Sequence, residues 1–366
     1  MKITFIRNGG FSDSPYYNYL LNYPASGVKY ILPQRNNDVV VKNFLCLNGL
    51  KTLAKIFLTL SNKSYIKTIK IASDRDNLIH AFNVIPITNR KYIIELEAMH
   101  SLFMGTVDYK PAIKKVINYL EKPNCKKILF WTQVAMDGFN TLMKSDIIKN
   151  KCVVLYPAVI GQKRKNKLHK KPTIGFIGRD FTQKGGPLAA IVMNDFINAG
   201  KANGLIVTGT LTETNRKKLN KNIKILPLCS RKELYKTIFP EIDIMLYPGY
   251  SDTFGFMFPE AASFGIPIVT YNGVARYELV HHKKSGFVAG GTVSKRGYPN
   301  YSIEEEYLNE HALGFEMVIT NILSDKKTWK SMSKYSYDMV VSPDGMYSMW
   351  GRNKKLKKIY KNATKH

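Results

Sequence analysis

Two pairs of charged residues stand at spacings that could do chemistry. The first is Asp252 and Glu260, eight positions apart in IDIMLYPGYSDTFGFMFPEAASFGIPIV, residues 242 to 269. Carboxylates on one loop can accept hydrogen bonds from the hydroxyls of a sugar or a ribose. Between them lie Thr253, Phe254 and Gly255. Their backbone amides, with the start of a following helix, can hold an anion. The second pair is Arg179 and Lys184 in Gly178-Arg179-Asp180-Phe181-Thr182-Gln183-Lys184-Gly185-Gly186. Two cations on a glycine-bounded loop suit a diphosphate, because Arg grips phosphate oxygens in bidentate fashion and Lys adds a point charge. The loop is neither a Walker A sequence nor GxGxxG, since both glycine orders are absent.

The surrounding elements are expected to bring these pairs together. Ile242 to Leu246 has the length of a buried strand, and Pro248 and Gly249 end it. The small residues Ala261, Ala262 and Ser263 suit a closely packed helix, and Gly265 and Pro267 stop it before the next strand begins at Ile266. Thr173 to Ile177 reads as the strand that feeds the Arg179 loop. In a parallel sheet both loops fall at the carboxyl edge of the strands, where open α/β sheets bind ligands. Upstream, strands at Lys2–Arg7, Asn77–Val84, Lys91–Leu96, Lys126–Phe130 and Cys152–Leu155 alternate with helical stretches, which argues a second parallel, doubly wound sheet. The first strand ends in Asn8-Gly9-Gly10, a turn that can bring amides near a phosphate. The third leads to Glu97 and His100.

Other stretches set the organisation. Residues 161 to 172, GQKRKNKLHKKP, are basic and aperiodic and read as a linker. Residues 42 to 60 read as a basic amphipathic helix, suited either to packing on a sheet or to an anionic membrane surface. Residues 303 to 341 read as helical, with a last helix over 346 to 361.

A chain of 366 residues suggests two domains, since single cores rarely grow past ~250–300 residues. Cys46, Cys125, Cys152 and Cys229 are scattered without a CxxC spacing, so free thiols in a reducing compartment are expected. Cys and His form no metal-ligand spacing, and no metal is expected. The start, MKITFIRNGG, lacks the apolar run of a signal peptide. No stretch approaches the ~20 apolar residues of a membrane span. A cytoplasmic protein, free or peripheral on a membrane surface, is the expectation. The net charge of +28 is spread along the chain and attracts polyanions: nucleic acid, anionic lipid or phosphorylated glycans.

The two loops together resemble the nucleotide-sugar site of retaining glycosyltransferases with the GT-B fold, family 4. In that family two acidic residues separated by seven others flank a Phe-Gly. Phe254, Gly255, Glu260, Ala261, Gly265 and Pro267 match, while Asp252 stands where Glu is usual. The Gly178-Arg179…Lys184-Gly185 loop resembles the family's diphosphate loop. Ser230 to Tyr235 resembles the helix beside the nucleotide base, and Asn272-Gly273 and Glu278-Leu279-Val280 resemble the turn and Glu that follow the donor helix.

The resemblance implies an α/β GT-B fold, two Rossmann-like domains facing across a cleft, with the C-terminal helix crossing back to the first domain. It places an acceptor domain at 1–160, the linker at 161–172, a nucleotide-sugar domain at 173–340 and the returning helix at 341–366. It implies transfer of a hexose from a UDP- or GDP-linked sugar to a glycan or lipid-linked acceptor, with retention and without a metal or other cofactor. Arg179 and Lys184 would bind the diphosphate with Gly178, Asp252 the sugar, Glu260 the ribose, and Thr253, Phe254 and Gly255 would complete the donor loop. Gly9 and Gly10 would lie between donor and acceptor. A histidine commonly ends the family's strand corresponding to Tyr92–Leu96; Glu97 stands there, with His100 three residues on, and either could take its role. The rival readings are a sugar-nucleotide epimerase or phosphorylase on the same fold, a nucleic-acid-binding or DNA-glycosylating protein, and a non-catalytic sugar-binding homologue.

Overall fold

The computed structural model describes residues 1–7, 15–32, 39–40, 64–71, 77–105, 110–164, 167–249, 252–289 and 308–365. The chain forms two compact units, Met1–Pro157 with Trp350–His366, and Ala158–Met349.

The first unit is built on six parallel strands: β1 (Lys2–Arg7), β2 (Lys29–Ile31), β3 (Leu78–Phe82), β4 (Tyr92–Leu96), β5 (Cys125–Phe130) and β6 (Cys152–Val154). Their order is β2-β1-β3-β4-β5-β6. Helices α1 (Pro15–Asn22), α2 (Lys110–Leu120) and α3 (Gln133–Met143) cover it. β3 and β4 are buried along their whole length, as strands covered on both faces must be, and so they are nearly continuous apolar runs. His80 and Glu95 are the polar interruptions. Ala112, Val116 and Leu120 recur at helical spacing on α2 and pack into this core. Thr132 starts α3 by accepting a hydrogen bond from the Ala135 amide. Two small sheets lie outside the sequence expectation: Val39–Val40 with Thr68–Ile71 and Ile85–Ile87, and Ser64–Ile66 with Phe103–Gly105.

The second unit repeats the design with β7 (Thr173–Asp180), β8 (Asn203–Thr210), β9 (Lys224–Leu226), β10 (Ile244–Tyr247), β11 (Ile268–Tyr271) and β12 (Gly286–Ala289). All pair in parallel, in the order β9-β8-β7-β10-β11-β12. The order reverses between β7 and β10, which makes their carboxyl ends the switch point of the sheet. α4 (Gly186–Asn198) follows β7 and α5 (Met257–Ser263) follows β10. α6 (Leu308–Ser324) and α7 (Lys326–Val341) replace the single helical stretch expected over 303–341, because Asp325 caps α7 through the amides of Lys327 and Thr328. Residues 303–307 lie outside the described residues, as does the helix expected over 42–60.

The basic stretch expected as a linker packs on this unit instead. The Gln162 amide donates to the Ser263 carbonyl at 2.9 Å, and His169 Nδ1 lies 2.9 Å from Asp243 Oδ2. Asp243 is fully buried at the start of β10 and also accepts from the Thr173 amide, so it pins this stretch to the sheet.

The last helix, α8 (Met349–Thr364), belongs from Trp350 onward to the first unit. Arg352, Leu356, Tyr360 and Ala363 form its buried stripe, and its lysines face outward. No helix among the described residues is long and apolar enough to cross a membrane.

Candidate functional site

Of the sequence-singled cations and carboxylates of the second unit, Lys184 and Asp252 meet at its switch point, while Arg179 and Glu260 stand on the flanking elements. β7 carries Gly178 and Arg179 to its carboxyl end, and the chain then turns tightly into α4. That turn is held from within. The amides of Lys184, Gly185 and Gly186 donate to the carbonyls of Asp180, Thr182 and Phe181, and the Gln183 amide donates to Asp180 Oδ1. These amides are therefore occupied, and the side-chain cations supply the turn's positive charge. Gly178 is required here: a Cβ on it would lie 2.8 Å from Lys184 Cβ. Gly185 sits at φ +79°, and a Cβ there would meet the Pro248 carbonyl oxygen at 2.5 Å. Two loops from adjacent strands thus approach backbone to backbone, as only glycine permits.

This approach places Lys184 against Asp252. Its ammonium donates a short hydrogen bond to Asp252 Oδ1. The other oxygen, Oδ2, accepts from the Tyr247 hydroxyl at 2.7 Å and lies 3.9 Å from Arg276 Nη2. Tyr247 and Arg276 are both buried, whereas the Lys184 and Asp252 side chains keep 21% and 15% of their surface in solvent. Burial, then the Asp252 charge, pushes the Tyr247 hydroxyl well above its ordinary pKa, so it stays protonated and donates. Arg179 is exposed at the end of β7.

Glu260 lies in the first turn of α5, which begins at Met257. Its carboxylate is buried and accepts from Arg231 Nε at 2.5 Å and from the Tyr235 hydroxyl at 3.1 Å. Burial raises its pKa, while Arg231 and Tyr235 oppose the shift. Of the loop between the two acids, Gly255 takes φ +75°. Phe254, expected at the donor, has its ring buried against Phe256 and Tyr347, so its side chain anchors the loop and only its backbone is left for a ligand. Thr253 is half-buried beside it.

In the first unit, Gly9 and Gly10 lie outside the described residues. Glu97 follows β4 and is half-buried, and its amide donates to Asn83 Oδ1 at 3.1 Å. His100 lies on the turn Met99–Leu102, at the surface. Desolvation and the nearby Lys67 charge hold its imidazole below the ordinary value, so it is neutral at pH 7. Lys67 itself is lowered by burial, against the pull of Glu97. Glu97, His100 and Lys67 thus share one electrostatic neighbourhood at the carboxyl edge of this sheet.

Sequence reasoning missed a buried polar cluster around Glu95. This carboxylate is fully buried on β4. It accepts from Tyr16, from Trp131 Nε1 at 2.8 Å and from Arg352 Nη2 at 3.2 and 3.3 Å, and His80 Nε2 lies 3.0 Å from Oε2. The His80 ring contacts the Tyr360 hydroxyl at 2.7 Å, and Tyr360 contacts Tyr30 at 3.0 Å. The polar letters inside two buried strands were the available signal. Tyr247, Arg276 and Arg231 were also missed as partners of the acidic pair; a lone Arg after a turn carries no pattern.

The comparisons with known proteins agree with this geometry. Residues 160–296 match the family model described as Glycosyl transferases group 1. The match covers the whole switch-point site of the second unit. An uncharacterized 41.2 kDa protein in the cps region of Klebsiella pneumoniae is 24% identical over 260 residues, covering 66% of this chain and 70% of that protein. Sucrose-phosphate synthase from Thermosynechococcus elongatus superposes with a TM-score of 0.62 at 11% identity, over 99% of this chain and 98% of that one. Anabaena HepE in complex with UDP and glucose gives a TM-score of 0.55 at 12% identity, over 98% of each chain. Against the longer chain of a GtfA/B complex, this protein spans 60% of the length. The fold is thus the α/β GT-B fold, and its residues 160–296 are similar to the Glycosyl transferases group 1 model.

Proposed function

We propose that this protein is a glycosyltransferase that moves a hexose from a nucleoside diphosphate sugar to a hydroxyl of a glycan or lipid-linked acceptor, with retention at the anomeric carbon and without a metal ion. The observation that carries the reading is the convergence of Lys184, Asp252 and Arg276 at the switch point, with Arg179 and Glu260 on the flanking elements. A departing nucleoside diphosphate gains negative charge. Cations fixed in place before the reaction stabilise that charge without reorganising. Arg179 and Lys184 take this role, Glu260 takes the ribose hydroxyls and Asp252 the sugar hydroxyls. Glu97 and His100 are the candidates to face the acceptor; Gly9 and Gly10, given the same role by the sequence, lie outside the described residues. HepE, whose structure holds UDP and glucose, supports a UDP-linked donor.

The test is thermal stabilisation by UDP, GDP, UDP-glucose and GDP-mannose in the presence of a chelator. A ligand at about 100 times its Kd stabilises by ~2.7 kcal/mol, a readable melting shift. A shift with one base supports the reading and names the donor class. No shift with any of them, together with a clear shift from an oligonucleotide, would replace it with the nucleic-acid reading that the +28 charge favours. Product anomer analysis by NMR then decides retention.

A further inference from the structure

The carboxylate of Asp252 is divided between two sets of partners. Oδ1 takes the Lys184 ammonium, at the partly open side of the site. Oδ2 faces the buried Tyr247 hydroxyl at 2.7 Å and the buried Arg276 guanidinium at 3.9 Å. Arg276 is 2% exposed and begins the short helix Arg276–Leu279, after the turn that leaves β11. That turn holds Val274 at φ +47°. A β-branched residue in the left-handed region is strained by its Cβ, and such strain persists only where the surrounding structure over-determines it. The turn is therefore held in a conformation that presents Arg276 to Asp252 at a local cost.

Resting on the transferase reading, we propose that Asp252 is a stand-in anion for the donor diphosphate, and that Arg276 with Tyr247 is the positioning pair that makes the exchange possible. In the unliganded site the carboxylate neutralises Lys184. When a diphosphate arrives, Lys184 transfers from Oδ1 to phosphate oxygen. Arg276 and Tyr247 keep Oδ2, so Asp252 stays in place, and its vacated Oδ1 turns to a sugar hydroxyl. One carboxylate thus serves two anion-dependent tasks in sequence. The sugar contact becomes available only once the diphosphate is bound. The Asp252 side chain reaches Lys184 and both buried partners at once.

The experiment is a double-mutant cycle read by calorimetry and turnover. UDP and GDP are titrated as bare diphosphates, and UDP-glucose and GDP-mannose are the donors. Asp252→Asn is expected to bind the accepted nucleoside diphosphate as tightly as wild type or a few fold tighter, since a competitor for Lys184 is weakened. Its turnover with the sugar donor falls at least about tenfold, a loss of transition-state stabilisation read in kcat. Arg276→Gln lowers kcat in the same direction in the wild-type background and has no further effect on kcat or diphosphate affinity in Asp252→Asn. If Arg276→Gln does not fold, Tyr247→Phe removes only a hydroxyl from the same oxygen and takes its place in the cycle. The proposal is overturned if Asp252→Asn loses diphosphate affinity. It is also overturned if Arg276→Gln still weakens diphosphate binding in the Asp252→Asn background, which would put Arg276 on the phosphate itself. If wild type binds none of the four nucleotides, the transferase reading falls first and this proposal with it, an outcome distinct from a wild type that binds while the cycle is additive.

Discussion

Each unit places a carboxylate at or near the carboxyl ends of its parallel strands and surrounds it with an arginine, a tyrosine hydroxyl and a nitrogen base. In the first unit Glu95 meets Arg352, Tyr16 and His80, and in the second Asp252 meets Arg276, Tyr247 and Lys184. The chemistry is nearly the same, but the exposure differs. Glu95 and His80 are sealed at 0% and Arg352 at 3%, while Lys184 and Asp252 keep a fifth and a seventh of their surface in water. A sealed pair cannot exchange its partner for an incoming anion, because either ion alone in the interior is very costly. It can only hold elements together, here α8 and α1 against β3 and β4. A pair open on one side can give up a partner to a ligand at little cost.

This difference predicts opposite responses to the loss of a cation. Arg352→Leu leaves Glu95 buried without its main counter-ion and should cost about 3–5 kcal/mol of stability, read as a large drop in the melting temperature of the first unit. An unchanged melting curve would mean that the cluster is not what fastens α8. Lys184→Ala should leave the melting temperature near wild type and lower turnover by about 10²–10³, the size of losing one fixed donor to developing charge. Full activity after this change would remove Lys184 from the diphosphate.

The acid response separates the two sites again, with a smaller effect. Burial dominates His80 and lowers its pKa, against the pull of Glu95. Burial raises Glu95, but Arg352, His80 and Tyr16 together outweigh it and the net shift is downward. Both folded values thus lie below the unfolded ones of roughly 6.5 and 4.3. The unfolded chain takes up each proton first, so stability is full above pH ~6.5. It declines as pH falls through the His range and further through the carboxylate range. His80→Phe should flatten the first part of that decline in pH-dependent melting. If the slope between pH 6.5 and 5 is the same in both proteins, another group causes it.

How much of this was legible in sequence follows from the range of the interactions. The alternation of apolar runs and helical stretches located both sheets, because strands buried on two faces must be apolar throughout. The Arg179, Lys184, Asp252 and Glu260 positions were legible because glycines and prolines punctuate their loops. Tyr247, one residue past the strand read at Ile242 to Leu246, and Arg276 were not singled out at all. Their roles depend on β10 and β11 lying side by side, and nothing local encodes that. Glu95 was passed over for Glu97 because the strand end is a better place for chemistry; the partners that make Glu95 structural come from 79 and 257 residues away. The stretch over 161–172 misled for the opposite reason. Its lysines are locally those of a tether, but one buried carboxylate, Asp243, draws it onto the sheet.

The finest comparison is between two glycines of the second unit that share a left-handed backbone. Gly200 has φ +69° with nothing within 4 Å of an added Cβ, while at Gly185, φ +79°, the Cβ would lie 2.5 Å from the Pro248 carbonyl oxygen. Gly200→Ala should therefore cost only the conformational strain, about 1–2 kcal/mol, with turnover unchanged. Gly185→Ala carries the same strain and in addition drives the loop after β10 away from the turn that holds Lys184. Its stability loss should clearly exceed that of Gly200→Ala, because the atoms it meets are backbone, and its turnover should fall as well. Equal turnover in the two variants would show that the close approach of these loops is needed for packing alone, and that Lys184 finds its place without it.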